Sequence, residues 1–498
     1  MRRLDPRGAA YLVAGIIALS FSYDLMRVPI QTSDSLEQLL NVQQSPSVYA
    51  TFAATAERGA YLRPMFLAEI DVLFDLAQGH YWLVYRGFHA LLLFAAVLLF
   101  IRALQVRTWE DFAAAVFALT VLTGLHTFRG TVREAFPTSH FLQVVVLCLL
   151  ALNLAQGRSA SADRHRWWID VAAAITFAVA SLTLESGLLV WVVIVAAWAC
   201  GMRGVSRRGI IAMTVLLGVY FWVRFLSLSV GTPGLDERSS GFLFRMLEPK
   251  ELEARFGANP VWFYTYNVVT SILSVLFSDP DGGVFETGRA WLQGNVPPRL
   301  YLAVASSLMT TGLMAWVVAS RLRGRAGQVR DARDRYLIIF AAVLLANSAM
   351  SYVYTKHEIL SVAGAFYALA AFVAGRHALE WVRRDGPQER TVQPALAGRV
   401  AKRPDTRGAA RIVVVLVLAA TATAWAFRSA GVHHMLRVQA FKVRGDWARV
   451  PPEMLRDTGT PEERRAAALV SQLRHDALEM RVTNPNLLPR WADRWWGE

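Results

Sequence analysis

At 498 residues, with 54% hydrophobic and only 18% charged side chains, the chain is too apolar for an ordinary soluble globular protein. Its formal charge of +14 would suit a nucleic-acid binder, but the excess lies in short loops between apolar runs. There it reads as the positive-inside pattern of a membrane protein, with anionic lipid headgroups as sufficient partners and no nucleic acid. Cys148 and Cys200, both within predicted membrane helices, leave no disulfide framework and no cysteine metal site.

Met1-Arg2-Arg3 before an apolar run reads as a retained signal-anchor, since no small-residue cleavage site follows. Apolar runs near the length needed to cross a bilayer then recur, and about eleven spans are expected. They fall near 9–27, 81–103, 110–127, 138–156, 168–184, 186–202, 209–230, 299–320, 335–354, 357–377 and 410–429. The basic clusters test that count. Arg2, Arg3 and Arg7, then Arg102 and Arg107, then Arg158, Arg164 and Arg166, then Arg203, Arg207 and Arg208 alternate with the spans. So do the arginines from Arg321 to Arg335, and Arg383 with Arg384. All fall on one side if the amino terminus is cytoplasmic.

The expected fold class is therefore all-α, a polytopic transmembrane bundle over 1–430 with a small extracytoplasmic tail over 431–498. The outer side holds two long loops, 28–80 and 231–298. Leu36–Val42, Met65–Leu76 and Trp262–Phe277 look like amphipathic helices lying in the interface. Ser278-Asp279-Pro280-Asp281-Gly282-Gly283 ends the last of these as a turn. No proline lies well inside a predicted span, which argues against the broken helices of a secondary transporter.

Ionisable residues cluster on the outer side, and each has a plain structural alternative. Asp34 can act as a general base, yet Thr32-Ser33-Asp34-Ser35 is also good helix-capping sequence. Arg63, before Pro64, can bind phosphate or simply sit at the interface. His89, expected about two turns into the second span, also suits packing. His126, Arg133 and Glu134 share one short outer loop, where lipid headgroups or neighbouring loops are equally suitable partners. Glu185 tips a helical hairpin, where a polar residue is needed anyway. Tyr354, Lys356 and His357 join two spans, where the cations suit a phosphate or a snorkelling anchor.

Taken in order, these motifs resemble the GT-C superfamily of polytopic glycosyltransferases that use polyprenyl-phosphate-linked sugars. Asp34 matches the acidic residue of that family's first outer loop. Arg63-Pro64 matches its Arg-Pro pair, Gly79 to Tyr81 its Gly-aromatic stretch, and His89 its histidine-bearing helix. His126 with Glu134, Glu185 with Gly187, and Tyr354 with Lys356 and His357 complete the likeness, over roughly residues 9–380. Two departures stand out. Serines flank Asp34 where many members pair acids, and Leu184 precedes the glutamate where lysine is common. The resemblance implies an inverting sugar transfer with Asp34 as general base. Arg63, Arg133, Lys356 and His357 would bind the donor phosphate; His89, His126, Glu134, Glu185 and Tyr354 would bind or support substrate. It implies a polyprenyl-phosphate sugar as substrate, no cofactor and no divalent metal. The acceptor would be a glycan, glycolipid or protein, on the extracytoplasmic face of a bacterial inner membrane. The competing readings are a lipid-linked glycan polymerase or ligase, a transporter or flippase, and a scaffold with a degenerate site.

Overall fold

The computed structural model describes residues 5–57, 61–133, 137–157, 167–228, 238–277, 284–323, 332–384, 406–455 and 459–496. Among these residues the structure is all-α apart from one two-stranded hairpin.

The amino-terminal helix α1 (Pro6–Leu25) opens on an Asp5 cap whose carboxylate accepts from the Gly8 amide. Three short helices fill the first loop: α2 (Asp34–Gln43), α3 (Val48–Glu57) and α4 (Pro64–Ala77). Then come α5 (Tyr81–Leu104), α6 (Trp109–Gly124), α7 (His126–Arg133) and α8 (His140–Ala155). A hairpin follows, α9 (Trp167–Thr183) and α10 (Leu189–Ala199), with a 3-10 turn over Glu185–Leu188 at its tip. Next is α11 (Arg207–Phe221), which continues as a π-helical stretch over Trp222–Ser227. Strands β1 (Ser239–Gly241) and β2 (Phe244–Leu247) pair antiparallel before α12 (Pro249–Phe256), α13 (Val261–Phe277) and α14 (Val284–Leu292). The bundle closes with α15 (Pro298–Arg323), α16 (Arg335–Met350), α17 (Ser361–Arg384) and α18 (Thr406–Ala448). The tail adds α19 (Pro461–Glu479) and α20 (Arg490–Trp496).

Among the described residues, six helices are long and apolar enough to cross a membrane: α1, α5, α11, α15, α17 and α18. The count rises to as many as eight if the bent pairs α6–α7 and α12–α13 are each one span. An apolar helix stands at each of the eleven expected places, but α8, α9, α16 and the stretch Glu185–Ala199, like α6 taken without α7, are short. A helix of sixteen residues rises only ~24 Å, short of a ~30 Å hydrocarbon layer.

Helix α17 is the centre of the bundle, with Val362, Ala363 and every residue from Phe366 to Phe372 almost wholly buried. Its small residues let neighbours approach closely: a Cβ at Gly364 would lie 2.2 Å from Thr127 Oγ1. At the arginine-rich end, buried Asp111 binds Arg333 at 2.6 Å and Arg376 at 2.9 Å. Some of the loop arginines thus tie helices together rather than meeting lipid.

Three expectations change here. Trp262–Phe277 is not a helix lying alone in the interface: α13 packs against α15, α16 and α17, and its Asn267, Thr270, Ser271 and Ser274 are fully buried. The amphipathic faces of α2 and α4 are covered by protein. Leu36, Leu39, Phe66 and Ile70 share a core with Trp447 of α18 and Leu469, Val470 and Leu473 of α19. Finally, the boundary at 430 falls inside α18, which runs through it to Ala448. Its 43 residues span ~65 Å, about twice the hydrocarbon thickness, because no proline interrupts it before Pro451. The tail is therefore a wall of the main body, not an appendage.

Candidate active site

One cavity of about 1840 Å³ collects most of the singled-out residues: Asp34, Arg63, Arg133, Glu185, Tyr354 and Lys356 all border it. It exceeds the roughly 300–1,000 Å³ typical of a site for one drug-sized ligand.

Asp34 is the first residue of α2, with Ser33 as the N-cap. Ser33 makes no side-chain capping bond, so neither the serine nor the aspartate is consumed in the way the capping sequence allows. The Asp34 carboxylate is exposed to the cavity and has no ion pair among the described residues.

Arg63 owes its position to Pro64, which opens α4 and keeps its predecessor out of helical geometry. From there the guanidinium reaches Glu185. Arg63 Nε donates to both carboxylate oxygens at 3.1 and 3.0 Å, and Nη2 donates to Oε2 at 2.6 Å. Arg224 Nη1 donates to the other oxygen at 3.0 Å and to the Tyr220 hydroxyl at 3.0 Å. Burial alone would lower the Arg63 pKa; the Glu185 carboxylate more than offsets it, and the net shift is upward. Two guanidiniums on one carboxylate leave this clamp with one positive charge in excess.

Glu185 is held there by backbone sterics. Leu184 is extended and ends α9, and a Cβ on Gly187 would sit 2.0 Å from the Ala180 carbonyl oxygen. Only glycine allows the tip to turn that tightly.

Arg224 escaped the reading of the sequence, although an arginine inside an apolar run is a signal in itself. It sits in the π-helical stretch after α11, a distortion often found at functional sites, and is 3% exposed. Its Nε is buried with no hydrogen-bond partner among the described residues.

The Tyr354–Lys356 turn is fixed by α13, whose polar residues share one face. Buried Asn267 Nδ2 donates to the carbonyls of Ser240, Tyr352 and Val353 at 3.0, 2.9 and 3.3 Å. Ser271 and Thr355 hydroxyls meet at 2.8 Å, and a bridge joins Ser240 to Tyr354. Lys356 is exposed, with Nζ 4.9 Å from the Tyr354 ring centre and no carboxylate partner among the described residues.

The remaining candidates separate from this group. His357 does not border the cavity; its ring packs at 4.6 Å, edge-on, against His126, and at 5.2 Å against Phe242. His126 is buried, with Nε2 3.2 Å from Ser274 Oγ. His89 is fully buried in α5 and lies outside the cavity lining. One turn earlier Arg86 donates to the carbonyls of Val28 and Pro29 at 2.8 and 2.7 Å, pinning the start of the first loop. Glu134 lies outside the described residues.

Unforeseen walls come from the carboxy-terminal third. Gln439 and Lys442 of α18 and Trp496 of α20 border the cavity. His434 Nε2 and Asp493 Oδ1 lie 3.0 Å apart in a hydrogen bond, and Arg129 donates to the Trp496 carbonyl at 3.4 Å. Among the described residues no group of three or more His, Cys, Asp or Glu side chains is placed to hold a metal ion. Compared with family models, curated proteins and solved structures, the chain matches none.

Proposed function

We propose that this protein is a membrane glycosyltransferase of the GT-C kind, moving a sugar from a polyprenyl-phosphate donor to an extracytoplasmic acceptor with inversion. The observation that carries this reading is the convergence of Asp34, Arg133, Lys356 and the Arg63–Glu185–Arg224 clamp on one large cavity. Asp34 and Lys356 are more than three hundred residues apart in the chain.

In this reading the chain crosses a bacterial inner membrane about eleven times, with the cavity opening outward. The hairpin arms α9 and Glu185–Ala199 are short, rising about 22–26 Å, so the tip carrying Glu185 lies below the outer surface. A lipid-borne phosphate can reach that depth from the side.

Asp34 accepts the proton of the acceptor hydroxyl as its oxygen attacks the anomeric carbon. The bond from that carbon to the phosphate oxygen breaks, and polyprenyl phosphate leaves with the bonding electrons. Lys356, Arg133 and the excess positive charge of the clamp stabilise the charge as it develops. Attack from the face opposite the leaving group inverts the configuration. Cationic side chains thus supply what a divalent ion supplies to nucleotide-sugar enzymes.

The test is transfer of radiolabel from polyprenyl-phosphate sugars to candidate acceptors by purified protein, repeated with Asp34→Asn. Loss of the base should lower the rate by about 10²–10⁴-fold. Thermal stability should not change, because Asp34 has no ion pair to lose. Near-normal transfer by Asp34→Asn would end the assignment.

A further inference from the structure

We infer that the wall formed by Gln31, the first turn of α2 and the outer half of α18 binds a neutral, polyhydroxylated saccharide. The inference rests on the transferase reading only in calling that saccharide the acceptor.

The wall is one structural unit. The Trp447 indole of α18 donates to the Ile30 carbonyl at 2.6 Å, beside Gln31. Gln43 at the end of α2 donates to the Arg465 carbonyl of α19 at 3.1 Å, and α19 packs on α18. Gln31, Gln38 and Gln439 therefore border the cavity from elements locked to each other. None of the three amides has a hydrogen-bond partner among the described residues. Three amides are thus open to whatever occupies the cavity. A primary amide both donates and accepts, which matches a hydroxyl that does the same.

The charge on this wall points the same way. Asp34 and Glu37 face the cavity beside a single ammonium, Lys442, and His434 is already paired with Asp493. Two carboxylates to one ammonium do not make an anion site. The cavity's anion-binding capacity lies instead with Lys356, Arg133 and the double-arginine clamp. Carboxylates accept hydrogen bonds only. They suit a sugar ring, whose hydroxyls donate in every direction, better than a peptide, whose carbonyl oxygens would oppose them. At about 1840 Å³ the cavity holds an oligosaccharide alongside the donor head group.

The test uses full-length protein in nanodiscs and saturation-transfer NMR with linear neutral pentasaccharides of glucose, mannose, galactose and arabinose. A Ser-Gly pentapeptide is the competing probe. At least one pentasaccharide should receive saturation at millimolar concentration. The Gln38→Ala/Gln439→Ala pair should weaken that signal at least fivefold. Gln31→Ala serves as the second variant if the pair melts early. The inference is overturned if no pentasaccharide binds, if the glutamine variants bind undiminished, or if the peptide alone binds. Radiolabel transfer in the same preparation separates the two readings. Glutamine-dependent binding without any transfer supports the subsite and removes the transferase. Transfer with unchanged acceptor KM in the glutamine variants removes the subsite and keeps the transferase.

Discussion

Replacing Glu185 by glutamine should destabilise the protein by about 2–4 kcal/mol, somewhat below the ~3–5 kcal/mol for breaking a buried ion pair. The geometry sets that range. Glu185 accepts from three nitrogens, Arg63 Nε and Nη2 and Arg224 Nη1. Each charge-assisted bond is worth ~1.5–3 kcal/mol. Glutamine keeps one carbonyl oxygen and can satisfy one arginine, leaving the other guanidinium uncompensated. Arg224 is the costly one to strand, since its side chain is 4% exposed, whereas those of Arg63 and Glu185 are 26% and 24% exposed and partly screened. Unfolding in mixed micelles, titrated with SDS, measures the loss for Glu185→Gln, Arg224→Gln and the double variant. The double variant should cost less than the sum of the singles by about 1–3 kcal/mol, because the guanidinium that remains, Arg63, is partly screened and can be satisfied by the glutamine carbonyl, while the deeply buried one is gone. Losses that add within ~0.5 kcal/mol would show that the three side chains do not act as a unit, and would refute this account.

The pH dependence of stability should carry the mark of Glu69, on α4 in the first loop. Burial pushes its carboxyl up to about 7, although Gln143 donates to it at 2.7 Å. A carboxyl with a raised folded-state pKa stabilises fully below its unfolded value near 4.5, and that contribution is lost as pH rises towards about 7. Glu69→Gln should therefore flatten the melting temperature between those pH values and raise it at pH 8; an unchanged slope would refute the assignment. Asn267→Ala should remove the side-chain donor to the carbonyls that flank the turn, at a cost of about 0.5–1.5 kcal/mol, and let the Tyr354–Lys356 turn drift. A raised donor KM in that variant, with acceptor KM unmoved, checks the positioning role. Lys356→Ala should raise donor KM by roughly 10–100-fold, the worth of one hydrogen bond to a charged group, and leave acceptor KM nearly alone. An equal effect on both would remove Lys356 from the phosphate.

Hydropathy in the sequence suffices to locate the apolar helices, because it depends on local composition: an apolar stretch must find lipid or core. Pro64 acts locally, since its ring constrains the backbone of its predecessor, whereas Gly187 matters for the close approach of the Ala180 carbonyl, which the folded hairpin supplies. Tertiary structure decided the rest. Whether Arg63 meets a phosphate or a carboxylate depends on Glu185, 122 positions away. That α18 runs on to Ala448 and builds a wall of the cavity depends on Trp447 and the α19 core finding α2 and α4. His89 and His126 look like Asp34 in a one-dimensional reading, as isolated polar residues in or beside apolar runs. Burial separates them, because a side chain's chemistry is set by what packs around it, and chain neighbours supply little of that packing.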